Sequence, residues 1–179
     1  MDTQRSSTSI ILLKWGAIGG LLSFIFTLIT KYSGLEDDFS ETLGWVTTIV
    51  TLVINVTILV LALREVRAEN DGFMSYGQGL GASALLGAIW GLIAGAFNYI
   101  YLQFIDNGVV QKQLDLARER LEEQGLTESQ IEDAEKITKM MMGPGVQFVI
   151  IVFVTTLFMF ILGLIVSGVL KREKSVFDE

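Results

Sequence analysis

Four long stretches of this chain are almost free of charge, and the charged residues collect between them. They run from about Ile10 to Ile29, Leu43 to Leu63, Leu80 to Phe104 and Val146 to Leu170. A helix needs roughly 20 predominantly apolar residues to cross the hydrocarbon core of a bilayer, and each stretch meets that length. Barrel strands would alternate apolar and polar positions over about ten residues, and these runs are continuous. The pattern therefore predicts four spanning helices, which satisfy their own backbone groups where no water is present. The first run is too long for a cleaved leader, and it is followed by Lys31-Tyr32-Ser33-Gly34 rather than a small-residue cleavage site, so a retained span is expected.

The stretch between the third and fourth spans has a different rhythm. Leu114, Ala117 and Leu121 recur at helical spacing, as do Ile131, Ala134, Thr138 and Met141. Gly125 stands where a helix C-cap belongs. Thr127-Glu128-Ser129-Gln130 has the form of a capping box that opens a second helix. Gly143-Pro144-Gly145 then resets the chain, with Pro144 suited to the first turn of the fourth span. These signs predict a helical hairpin over about 108–142. The expected fold class is all-α: an integral membrane four-helix bundle, one membrane domain over 1–179, with an extramembrane helical hairpin between spans 3 and 4.

Composition narrows the function. The chain is 51% hydrophobic and 18% charged, against about 25% charged residues in soluble domains. With no Cys, disulfides and thiolate chemistry are excluded, and with no His the commonest general base and metal ligand is missing. The net charge of −7 argues against a nucleic-acid partner. Basic residues give the orientation. Arg5, Lys14, Arg64, Arg67, Lys171, Arg172 and Lys174 lie on one side, seven against six opposite, and the short segments nearest the spans place both termini in the cytoplasm. The hairpin loop carries nine acids against five bases, and the first loop adds Glu36, Asp37, Asp38 and Glu41. The opposite face is therefore acidic.

Several stretches taken together carry a resemblance. They are Tyr76-Gly77-Gln78 leading into a Gly-rich third span, the segment from Glu123 to Glu132, and Met140-Met141-Met142-Gly143-Pro144-Gly145. With the four spans and the charged hairpin, they resemble domain of unknown function family 4199, small inner-membrane proteins common in Bacteroidota. The resemblance covers nearly the whole chain and is most specific from about Leu114 to Gly145. It implies topology and residence in a bacterial inner membrane, and no mechanism. Genes of the family often lie near polyprenyl-phosphate glycosyltransferases, which implies such an enzyme as a partner. The acidic first loop departs from the family pattern.

Candidate residues fall into three groups. Gly87, Gly91 and Gly95 recur every four residues on the third span, beside Ala84 and Ala88. They form a groove for close helix approach, either within the bundle or to a second copy or partner. Thr47, Thr51 and Asn55 form a polar stripe on the second span. An unpaired amide at the depth of Asn55 is costly, so it is expected to bond Asn98 or Thr27, as interhelical glue or as the lining of a small pathway. Leu114, Leu121, Ile131 and Ile137 are the apolar hairpin positions expected to dock on the membrane or a partner.

The remaining features are weaker. The Met140–Met142 run meets the membrane surface, and Trp15, Trp45, Tyr32, Tyr76, Tyr99 and Tyr101 suit an interfacial belt. Lys14 is expected to snorkel from a span end. No acid or base falls in mid-span, which argues against proton-coupled transport. The acidic clusters fit no known cation loop, and no nucleophile has an activating base. A non-catalytic scaffold or accessory subunit is expected, without cofactor or metal, in contact with membrane lipid and with a membrane-protein partner or a second copy. The alternatives are a partner or membrane anchor of a polyprenyl-phosphate glycosyltransferase, and a small transporter or channel.

Overall fold

The computed structural model describes residues 2–32, 41–106 and 108–173. Within them run α1 (Asp2–Tyr32), α2 (Glu41–Glu69), α3 (Tyr76–Ile100), a π-helical turn (Tyr101–Ile105), α4 (Gly108–Glu123), α5 (Glu128–Met141) and α6 (Pro144–Leu170). No strand occurs among the described residues. An isolated antiparallel bridge joins Met74 to Arg172 through two backbone hydrogen bonds of 2.9 Å. Glu36, Asp37 and Asp38 of the acidic first loop lie outside the described residues, as does Lys174.

Among the described residues, four helices are long and apolar enough to cross a membrane: Ser7–Tyr32, Gly44–Glu69, Tyr76–Ile105 and Pro144–Leu170. They outrun the apolar stretches because polar residues continue the same helices. The added length is tied down between α1 and α2, where the Ser7 hydroxyl donates to Glu69 at 2.6 Å and Lys14 donates to Glu65 at 2.5 and 2.6 Å. Helix α2 ends at Asn70-Asp71-Gly72, where Gly72 takes φ +81° and its N–H returns to the Arg67 carbonyl at 2.9 Å. Glycine reaches that backbone region without the Cβ penalty.

The chain divides into two compact units, Met1–Ala94 with Val152–Glu179, and Gly95–Ile151. The first has a core of Leu12, Leu59, Leu63, Leu86, Trp90 and Met159, all at most 2% exposed. Outside that core its helices present apolar side chains. Only 17% of the α6 window is buried, and Phe153, Ile165 and Val169 stand open at 66%, 68% and 78%. A helix apolar all round and this exposed would be insoluble in water and is at home in lipid. The second unit holds the end of α3, the π-helical turn, the α4–α5 hairpin and the start of α6.

Candidate interaction surfaces

The α3 glycines meet α6. A Cβ placed on Gly87 would fall 2.7 Å from Met159 Cβ and 2.9 Å from Thr156 Cα. On Gly91 it would fall 2.8 Å from Val152 Cα. On Gly95 it would meet the Phe148 ring at 3.0 Å. The same close approach continues with the roles exchanged, since Gly79 abuts Ser167 and Gly163 abuts Ser83. Contact distances this short need a residue with no side chain, and dispersion across the flush surfaces is what binds helices in lipid. The groove is thus filled from within the chain.

A second glycine seam was not singled out in the sequence. Gly16 and Gly20 of α1 pack on Ile89 and Ile93 of α3, and Gly19 lies against the face of the Trp90 indole. The signal was Gly16-Ala17-Ile18-Gly19-Gly20, whose first and last members are four apart. Trp90 is 2% exposed, and its Nε1 donates to Ser23 Oγ at 2.9 Å. The small residues of α1 therefore make room for the largest side chain of the core, and a serine one turn further on satisfies its polar end.

The polar stripe of α2 behaves differently from the expectation. Asn55 is buried, but its Nδ2 donates to the Thr51 carbonyl of its own helix at 2.7 Å. Thr51 Oγ1 donates to the Thr47 carbonyl, and Thr27 Oγ1 to the Ser23 carbonyl, each at 2.9 Å. A short polar side chain on a helix reaches the carbonyl one turn back with no other helix required. Asn98 does not serve Asn55. It donates to Gln147 Oε1 of α6 at 3.1 Å. Both Thr48 and Thr57 are exposed.

Lys14 does more than snorkel. Glu65 accepts from Lys14 and also from Trp15 Nε1 at 2.7 Å, so one carboxylate joins the lysine and the tryptophan of α1 to α2. Half exposure of this pair limits its worth to about 1 kcal/mol or less. Tyr101 leaves the expected aromatic belt. It is 5% exposed and donates to Asp106 at 3.1 Å, closing the π-helical turn. Trp45 and Tyr32 are exposed at 64% and 69%, as a belt requires.

In the hairpin, α4 ends on Gly125 at φ +76°. The Gly125 N–H bonds the Glu122 carbonyl at 2.9 Å, and the Leu126 N–H bonds the Leu121 carbonyl at 3.3 Å. This double closure is a Schellman motif. Helix α5 opens with Gln130 Oε1 accepting the Thr127 N–H at 3.0 Å. Leu114 and Ile131 are buried and Leu121 is half-buried, so these three form the inner seam instead of a docking face. Two amphipathic helices of a hairpin must first cover each other. Of the four, Ile137 alone remains open, at 57%.

A clamp on the hairpin escaped the sequence pattern. Arg118 spreads its guanidinium over three carboxylates: Glu122 at 2.9 Å, Glu128 at 2.6 Å and Glu135 at 3.1 Å. The i,i+4 partner Glu122 is readable from sequence, whereas Glu128 and Glu135 arrive only when the hairpin closes. Hydrogen bonds to Glu122, then to Glu128, hold the guanidinium further above its ordinary value, so it stays charged. Beside the seam runs an open groove of about 310 Å³, lined by Asp115, Glu132, Glu135, Lys136 and Lys139 among others. No group of three or more acids placed to hold a metal ion occurs among the described residues.

Four apolar helices, three of them joined by glycine seams, with an extramembrane hairpin, define a multi-pass α-helical membrane protein. Residues 14–172 match the model of a family described as protein of unknown function, DUF4199. The chain belongs to that family. No curated protein and no solved structure matches it.

Proposed function

We propose that this protein is a non-catalytic scaffold or accessory subunit of a bacterial inner membrane, with both termini in the cytoplasm. On this reading it holds a membrane-protein partner through its acidic hairpin. The hairpin carries the proposal. It is closed at both ends of its turn, clamped by Arg118, and leaves Glu119, Glu123 and Glu132 facing outward. A rigid surface with a net negative charge favours a partner of the opposite sign and steers its approach. The polar stripe of α2 lends little support to a conduction path, because its hydrogen bonds run along its own backbone.

The test is purification of tagged protein from its native membrane in mild detergent, with mass spectrometry and a native mass. A stoichiometric partner is expected, lost when Glu119, Glu123 and Glu132 are all changed to Lys and weakened by salt. Recovery of a polyprenyl-phosphate glycosyltransferase would name the pathway. A monomer or homo-oligomer with no partner would overturn the proposal, as would a partner indifferent to the charge reversal.

A further inference from the structure

Helix α5 is divided along its length. Its acids, Glu128, Glu132, Asp133 and Glu135, occupy the first eight residues. Its last six contain Lys136, Ile137, Lys139, Met140 and Met141. Ile137, Met140 and Met141 are spaced three and four apart, which puts them on one face. They are exposed at 57%, 66% and 50%. They lie off the face that α5 turns to α4, whose buried residue on α5 is Ile131.

Chain connection fixes where this apolar turn lies. Helix α6 begins at Pro144, and the link is closed by hydrogen bonds from Met142 N–H to the Thr138 carbonyl at 2.8 Å and from Gly143 N–H to the Met140 carbonyl at 3.3 Å. Three residues reach at most about 10 Å even when extended. Met141 is therefore held within that distance of the start of a span whose first turns already present Val146 and Val149, at 40% and 63% exposure. The headgroup layer on each side of a bilayer is about 5–8 Å deep. The other foot of the unit matches: Phe104 and Ile105, at the end of the π-helical turn, are exposed at 76% and 62%.

We propose that the C-terminal turn of α5, with Phe104 and Ile105, is seated in the headgroup–acyl boundary of the bilayer. Ile137, Met140 and Met141 insert, and Lys136 and Lys139 lie at the level of lipid phosphates. Lys136 also bonds Asp133 at 3.2 Å. Apolar surface continuous with that of a spanning helix is covered by the same lipid, and flanking lysines are the usual partners of headgroup phosphate. The acidic half of α5 is left to water or to a partner. The two feet would then fix the hairpin's base at the membrane surface independently of any protein it binds.

The chain has no cysteine, so single cysteines report cleanly. Full-length protein carrying Ile137→Cys, Met140→Cys or Phe104→Cys is labelled with an environment-sensitive fluorophore, alongside Glu123→Cys near the hairpin turn. Each is reconstituted into phosphatidylcholine–phosphatidylglycerol vesicles. Blue-shifted emission is expected at the first three positions, with quenching by headgroup-region spin-labelled lipid several-fold above that at position 123. Water-like emission with iodide quenching equal to that at 123 would overturn the proposal. Blue-shifted emission that spin-labelled lipid fails to quench would place protein there instead, and an effect seen only at high protein-to-lipid ratio would place a second copy there; either result overturns it. The purified protein is used alone, so the outcome does not depend on the partner proposed above.

Discussion

Replacing Gly91 with alanine adds one methyl group where α3 meets α6. The new carbon would lie 2.8 Å from Val152 Cα and 3.2 Å from the Val152 carbonyl oxygen. Carbon atoms rest at about 3.5–4.0 Å, so α6 must retreat by roughly 1 Å. The obstacle is backbone and cannot rotate away. A gap of that size forfeits a quarter to a half of each dispersion contact along the seam. Overpacking of this kind costs about 1–3 kcal/mol. Gly81 lies on the same helix and has open space around the corresponding position, so Gly81→Ala should stay within about 0.5 kcal/mol of the parent. Gly95→Ala should fall between, because its neighbour is the Phe148 ring, which can turn. Reversible unfolding in mixed micelles measures all three. An ordering in which Gly91→Ala is no worse than Gly81→Ala would refute the close-packing argument, and Gly91→Leu should then be tolerated as well.

The hairpin and the α1–α2 junction offer four further tests. Gly125→Ala forces a Cβ into left-handed backbone at φ +76°, costing about 1–2 kcal/mol; amide exchange around the turn should accelerate, and unchanged rates would contradict the cap. Arg118→Gln should free Glu122, Glu128 and Glu135 and speed exchange across α5, while Arg118→Lys rescues only part because one ammonium cannot span three carboxylates. A raised arginine value means that its contribution is fully present below the ordinary arginine range and is lost only in strong alkali, so exchange protection from this clamp should not change between about pH 7 and 9. Glu65→Gln keeps an acceptor for Trp15 and should cost under about 1 kcal/mol, whereas Glu65→Ala should also shift the emission of a variant retaining only Trp15.

Much of the architecture was legible because lipid makes an unusually plain demand. Each span must be apolar over a fixed length, and the hairpin's turn is written in local chemistry: Gly125 takes positive φ, and Gln130 caps Thr127. The spacing of Gly87, Gly91 and Gly95 shows a smooth helix face, since that depends only on helix geometry. It does not show what fills the face, and α6 does so with Val152, Phe148 and Met159. The same limit explains the misassigned polar and apolar residues. Asn55 has two ways to satisfy its amide, and only the folded helix shows that the local one is used. Leu114 and Ile131 are apolar whether they face a partner or each other, and hairpin closure decides for each other.

Local rules thus determine elements, caps and the residue types able to sit in lipid, because those follow from interactions within a turn or two of the chain. Pairings between distant residues depend on which helices become neighbours. The Trp90–Ser23 bond, the Glu65 link to Lys14 and Trp15, and the links from Arg118 to Glu128 and Glu135 all join positions that sequence spacing cannot relate. Only the tertiary structure decides them, since a side chain's partner is set by the helix packed beside it.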